Sequence, residues 1–274
     1  MDWLEHQFMQ NAIAAGFFAG VACSVAGVFV VTMHLSFLGV CIAHAALAGA
    51  LMGEWLHFSP VLGAMAFSVG AAAVVGPLAD RGELGPDSAI GIVFSLMLGL
   101  GLLFLGLIPG SRTEALNLFW GSLLTVTRAD VTLLAMTAAV LVSLVILFFK
   151  EIQAVLCHRQ VAVAVGIPAA AIFYGMLTAT GVTVAVSLRS VGGLLIFSLI
   201  ISPAAAAFQL TYSLKRMFII SAALGVLACW AGLAASYLWD LRTGACIAIA
   251  SSVMFALASA VSPKRRLLAG TREG

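Results

Sequence analysis

Charge is what this sequence has least of. Only 9% of its 274 residues are Asp, Glu, Lys or Arg, against roughly a quarter in soluble domains. Hydrophobic residues make up 63%, and the mean hydropathy is +1.15. That balance excludes an ordinary soluble domain. With 13 Lys and Arg and a net charge of +2, there is no basic patch of the kind that holds nucleic acid. The cysteines (Cys23, Cys41, Cys157, Cys229 and Cys246) are odd in number, scattered and free of C-x-x-C spacing, which argues against a disulfide framework or a structural zinc site. Lys150, Lys215 and Lys264 all lack a preceding glycine. No G-x-x-x-x-G-K phosphate loop exists, so the chain is not by itself a P-loop ATPase. G-x-S-x-G and H-E-x-x-H are absent too, removing the commonest hydrolase and zincin signals. The opening MDWLEHQF carries acids where a secretion signal carries Lys or Arg, so the first apolar run is expected to be a retained span.

What is present is a series of apolar runs long enough to cross a hydrocarbon core of roughly 30 Å. The runs are Asn11 to Met33, Phe37 to Trp55, Pro60 to Leu78, Asp87 or Ser88 to Ile108, Val131 to Phe149, Pro168 to Leu188, Ser190 to Leu210, Met217 to Leu238 and Cys246 to Val261. The expected fold is all-α: a polytopic membrane protein of about eight or nine transmembrane helices in one domain. SRTEALNLFWGSLLTVTRAD, after Pro109-Gly110, is too interrupted to span and is expected to form an interfacial helix and a turn. In Ser190 to Leu210, Gly192-Gly193 loosens the start and Pro203 removes a donor inside, so a broken helix is expected. Alternate loops and the C-terminal tail hold Arg81, Lys150, Arg159, Lys215, Arg216, Lys264, Arg265, Arg266 and Arg272, against Arg112, Arg128, Arg189 and Arg242 in the other set. The richer set belongs in the cytoplasm, with the C-terminus inside and the N-terminus outside.

One stretch carries chemistry. In HLSFLGVCIAHAALAGALMGEWLH, His34 to His57, the imidazole of His44 stands inside an apolar helix, where polar side chains are costly and mark ion paths. Cys41 lies three residues before it on the same face, and Ala45, Gly49 and Gly53 form a small-residue stripe for close helix approach. A histidine satisfied by a backbone carbonyl and a cysteine that merely packs are the plainer alternatives. Glu54 sits where an ion would arrive, and His34 and His57 read as loop and interfacial residues. Asp87, Asp130 and Asp240 punctuate apolar runs as helix caps do, with Asp87 placed as the N-cap of the fourth span.

These residues resemble the membrane-spanning permease subunits of ABC importers for zinc, manganese and iron. Ser36-Phe37-Leu38-Gly39 with Ala43-His44-Ala45 is similar to the family's second helix, and Asp87-x-x-x-Gly91-Ile92 to the start of its fourth span. Trp120-Gly121-Ser122-Leu123-Leu124-x-Val126 with Asp130 resembles its phenylalanine-glycine segment. Val191-Gly192-Gly193-Leu194-Leu195 leading to Ser202-Pro203-Ala204-Ala205 resembles its broken helix, and Asp240-x-x-x-Gly244 its last external turn.

The resemblance implies a type II importer-like permease of the bacterial inner membrane, not an enzyme. It implies a homodimer docked on two ABC ATPase subunits and fed by an extracytoplasmic metal-binding protein, with no permanently bound cofactor. The family has Asp four residues before the helix-two histidine; Val40 stands there in this chain. Cys41 is then a soft substitute beside His44, and thiolate with imidazole favours zinc over manganese, with manganese or iron as the next cargoes. Lys150 to Gly166 resembles the docking segment, with Arg159 and Gln160 as polar contacts to the ATPase and Gly166 as the turn into the next span. A secondary transporter driven by an ion gradient is the competing class.

Overall fold

The computed structural model describes residues 7–35, 37–81, 85–108, 121, 123–193 and 196–262. Among these, ten helices and a short 3-10 turn account for nearly all regular structure. In chain order they are α1 (Gln7–Thr32), α2 (Leu38–Trp55), α3 (Pro60–Arg81), α4 (Pro86–Leu107), α5 (Arg128–Leu147), α6 (Phe149–Ala164), α7 (Ala169–Val191), α8 (Ile196–Leu210), α9 (Leu214–Trp239) and α10 (Thr243–Val261). The expected interfacial segment falls largely on residues 109–120, outside the described residues, as do Ser36, Ser122, Leu194, Leu195 and the basic tail.

Among the described residues, eight helices are long and apolar enough to cross a membrane, and α8 is a shorter apolar helix. Hydrogen bonds fix its course. Asp130 at the start of α5 lies 3.5 Å from Arg189 at the end of α7, so those two ends share a face. The Ser262 hydroxyl, just past α10, donates to the Gln209 carbonyl near the end of α8 at 3.0 Å. α8 thus begins beside the end of α7 and ends beside the end of α10.

α1 is the central post, touching α5, α7, α8 and α9. Its Gly20 meets the backbone of α9, where an added methyl would lie 2.8 Å from the Val226 nitrogen. The Ser221 hydroxyl also donates to the Ser24 carbonyl at 2.9 Å. Such contacts matter because lipid tails are as apolar as leucine, so helices associate through close packing and hydrogen bonds. α2 is clasped between α3 and α4, and α3 leans on α7.

Two of the helix starts that differ from the sequence expectation have a clear local cause. Gly85 caps α4 and Pro86 occupies its first position, so Asp87 is an exposed first-turn residue; proline's missing N–H costs nothing there, and the carboxylate suits the positive helix end. α5 begins three residues before Val131. Thr127 caps it and Asp130 closes a reciprocal capping box, with the Thr127 N–H donating to Asp130 at 3.0 Å.

The break after α7 comes at glycine, not proline. Gly192 has φ of +95°, a backbone conformation that L side chains rarely adopt. Gly121, itself at φ +62°, packs so closely that a methyl on it would lie 2.2 Å from the Gly192 nitrogen. Gly193 is buried beside them. Pro203 sits inside the continuous α8, where its absent N–H loosens a turn without ending the helix.

Candidate functional site

The site is built on α2, whose two sides are packed differently. On one, Gly49 faces Gly63 of α3, and a methyl on Gly49 would lie 2.1 Å from the Gly63 carbonyl oxygen. Gly53 packs over Pro60. The small-residue stripe of Ala45, Gly49 and Gly53 thus brings two backbones together, and Ala45 is fully buried.

On the other side, half-buried His44 meets α4. Its ring stands edge-on to Phe94, with centroids 4.9 Å apart, and its Nδ1 lies 2.9 Å from the Val40 carbonyl oxygen. A carbonyl only accepts, so Nδ1 must donate, and in the neutral ring Nε2 keeps its lone pair. That is the tautomer a metal ligand needs. The plainer reading, a histidine bonded to a carbonyl, and the ligand reading therefore describe the same geometry. A cavity of about 10 Å³ opens there, lined by His44, Leu47, Met97, Leu98, Gly101 and Leu102.

Cys41 shares the helix with His44, but its side chain is 0% exposed within the main core. It does not line the cavity around His44. Glu54 is half-buried at the end of α2 beside Trp55, whose ring stacks on Phe104 of α4 at 6.0 Å. No cluster of three or more His, Cys, Asp or Glu able to hold a metal exists among the described residues.

The other two helix-flanking histidines are caps. His34 and His57 have φ of +56° and +57°. After α1, the His34 N–H reaches the Val31 carbonyl and the Leu35 N–H that of Val30; after α2, His57 reaches Glu54 and Phe58 reaches Gly53. This paired pattern closes helix C-termini, with glycine as the usual left-handed residue. Asp240 does a similar service at φ +50°, where Leu241 N–H reaches the Ser236 carbonyl at 3.1 Å.

Lys150 to Gly166, expected as a polar connection carrying a short helix, is helical from Phe149, with a kink at His158 (φ −151°, ψ 87°). Gly166 ends it at φ +82° in the same paired cap, its N–H reaching Val163 and that of Ile167 reaching Ala162. Gln160 is exposed. Arg159 turns back over its own fold, its guanidinium carbon 4.9 Å from the Phe173 ring centre, a cation–π contact.

A cavity of about 540 Å³ between α5 and α7 is lined by residues such as Met136, Thr137, Tyr174 and Thr178. It offers no imidazole, carboxylate or thiol; its donors are the Met136 thioether and the hydroxyls of Thr137, Tyr174, Thr178 and Thr183. Met97 and Phe94 escaped the sequence reading, since methionine and phenylalanine in an apolar run look like packing. Only the pairing of α2 with α4 brings them to His44.

Comparison with known proteins agrees with this architecture. The chain is 30% identical over 266 residues to the manganese transport system membrane protein MntC of Listeria monocytogenes, covering 97% of this chain and 94% of that one. It is 28% identical over 253 residues to the chelated iron transport system membrane protein YfeD of Yersinia pestis, covering 92% and 85%. A chain in the structure of PsaBC from Streptococcus pneumoniae in complex with Fab superposes with a TM-score of 0.89 at 28% identity, covering 98% of both chains. An inward-facing metal-chelate type ABC transporter shares the fold at a TM-score of 0.70 and 15% identity, over 91% of this chain and 84% of that one. Residues 5–262 match the ABC 3 transport family, and the chain belongs to that family.

Proposed function

We propose that this chain is the membrane-spanning permease subunit of an ABC importer that moves a divalent first-row transition metal into the cytoplasm. The observation that carries the reading is His44. It is an imidazole inside a membrane span, held through Nδ1 by the Val40 carbonyl so that Nε2 is free for an ion. The relatives named for manganese and chelated iron support the cargo class. Zinc, favoured by the sequence, loses the thiolate that recommended it, because Cys41 is sealed in the core.

The whole chain acts as one transmembrane unit, paired with a second copy and energised by two ATPase subunits. An extracytoplasmic binding protein delivers the ion, and Glu54 at the outer end of α2 attracts it. α6 is the coupling segment: its kink at His158 and exposed Gln160 present a short second half toward the ATPase, and Gly166 returns the chain to α7. Arg159 braces that half against Phe173. The C-terminus and α6 lie in the cytoplasm, and the N-terminus outside, a reading that the Lys and Arg distribution supports.

The test is metal uptake by the complete complex in proteoliposomes. Uptake should require ATP and the ATPase subunit, and His44→Ala should lower it by at least about tenfold, roughly 1.4 kcal/mol of barrier, with insertion and thermal stability unchanged. Undiminished uptake in that variant would remove His44 from the path. Uptake that follows a proton gradient without ATP would make the chain a secondary transporter instead.

A further inference from the structure

We propose that Met97 is a second ligand to the passing ion, and that the His44 and Met97 pair makes the path select iron(II) or zinc over manganese(II). The proposal rests on the permease reading above and adds to it the residue that sets cargo preference.

The cavity between α2 and α4 is about 10 Å³, about the room that one water-sized guest needs. Of its six lining side chains, four are aliphatic or glycine; the imidazole of His44 and the thioether of Met97 alone carry a donor lone pair. Backbone oxygens add little, since those of a helix interior already accept hydrogen bonds.

Val40 turns this pair into a selector. Its carbonyl orients His44, and its isopropyl group supplies no charge on that turn. Carboxylate oxygen suits magnesium, calcium and manganese; imidazole suits iron, copper, nickel and zinc; thioether suits softer ions still. A pair of imidazole and thioether without an anionic oxygen therefore holds manganese, and abundant magnesium and calcium, less well than iron(II) or zinc. Methionine's three rotatable bonds let the sulfur move toward the ion and away again, as a site of passage needs. Cys41, three residues before His44, does not line this space, so the softness that the sequence attributes to a thiolate falls to a thioether on the neighbouring helix.

The experiment uses the complete complex in proteoliposomes, with the binding protein loaded in turn with manganese(II), iron(II) or zinc, and reads ions imported per ATP hydrolysed. Met97→Leu conserves volume and should fold normally. It should lower iron and zinc import by about tenfold and manganese by about twofold or less. Met97→Cys, which keeps a sulfur donor, should retain the preference for zinc over manganese. An equal fall for all three ions in Met97→Leu would show a packing role and overturn the proposal, as would unchanged zinc and iron import. His44→Ala separates the two levels: if it lowers all three ions while Met97→Leu changes no ratio, the permease reading stands and the Met97 proposal fails.

Discussion

The two sides of α2 solve opposite problems within one helix. Toward α3, Gly49 and Gly63 bring carbonyl groups against Cα atoms, leaving no room for a single methyl. Toward α4, His44 and Met97 stand apart around an opening of about 10 Å³. A wall that cannot shift and a slot that can admit something are thus built from consecutive turns. The lesson is that rigidity on one side makes a loose fit on the other useful: if α2 slid against α3, the imbalance around His44 would be lost to repacking.

The contrast can be broken from either side. Gly49→Val attacks the wall and should have the largest effect. Its methyls have nowhere to go against the Gly63 carbonyl, so loss of folded protein is expected, read as failure to elute as a monodisperse species in detergent. His44→Ala touches only the slot and should abolish most uptake while leaving the melting temperature within about 2 °C, in keeping with the small cost of changes at partly exposed positions. Val40→Asp sharpens the difference further. A carboxylate on that turn should raise manganese import relative to zinc by about tenfold, measured in the same vesicles.

Smaller effects belong to positions far from α2. Gly166→Ala forces a methyl into the left-handed region at φ +82°, costing about 1 kcal/mol, and should uncouple ATP hydrolysis from import more than it lowers stability. Thr127→Ala removes one half of the α5 capping box and should cost about 1 kcal/mol in thermal unfolding, with import per ATP unchanged. If Thr127→Ala altered cargo preference, selection would not be local to the α2 and α4 slot.

Much of this was legible beforehand because membranes simplify the reading. A run of apolar residues as long as Phe37 to Trp55 has only one economical conformation in hydrocarbon, and observed α2 spans Leu38–Trp55. The stripe of Ala45, Gly49 and Gly53 also pointed to its neighbour's close approach. What escaped depends on partners distant in sequence or on backbone detail. His34 and His57 read as loop and interfacial residues, but that they turn the chain at positive φ is a backbone detail that composition does not encode. Met97 lies 53 positions beyond His44, and only the packing of α4 on α2 joins them. The crossing of Gly121 with Gly192 is hidden in the sequence for the same reason, although each glycine stands out alone.

The brevity of α8 has a consequence for the lipid around the protein. Fifteen residues make a rod of about 22 Å, shorter than a hydrocarbon layer of roughly 30 Å. The difference is made up by the buried turn at Gly192, so the acyl chains never meet that stretch of peptide. Changes in bilayer thickness must then be absorbed by tilting of the outer helices, of which α4 and α5 have only 22% of their spans buried against 72% for α1 and α2. The centre of the molecule is insulated from its solvent, and a thicker or thinner membrane reaches the slot through α4 alone.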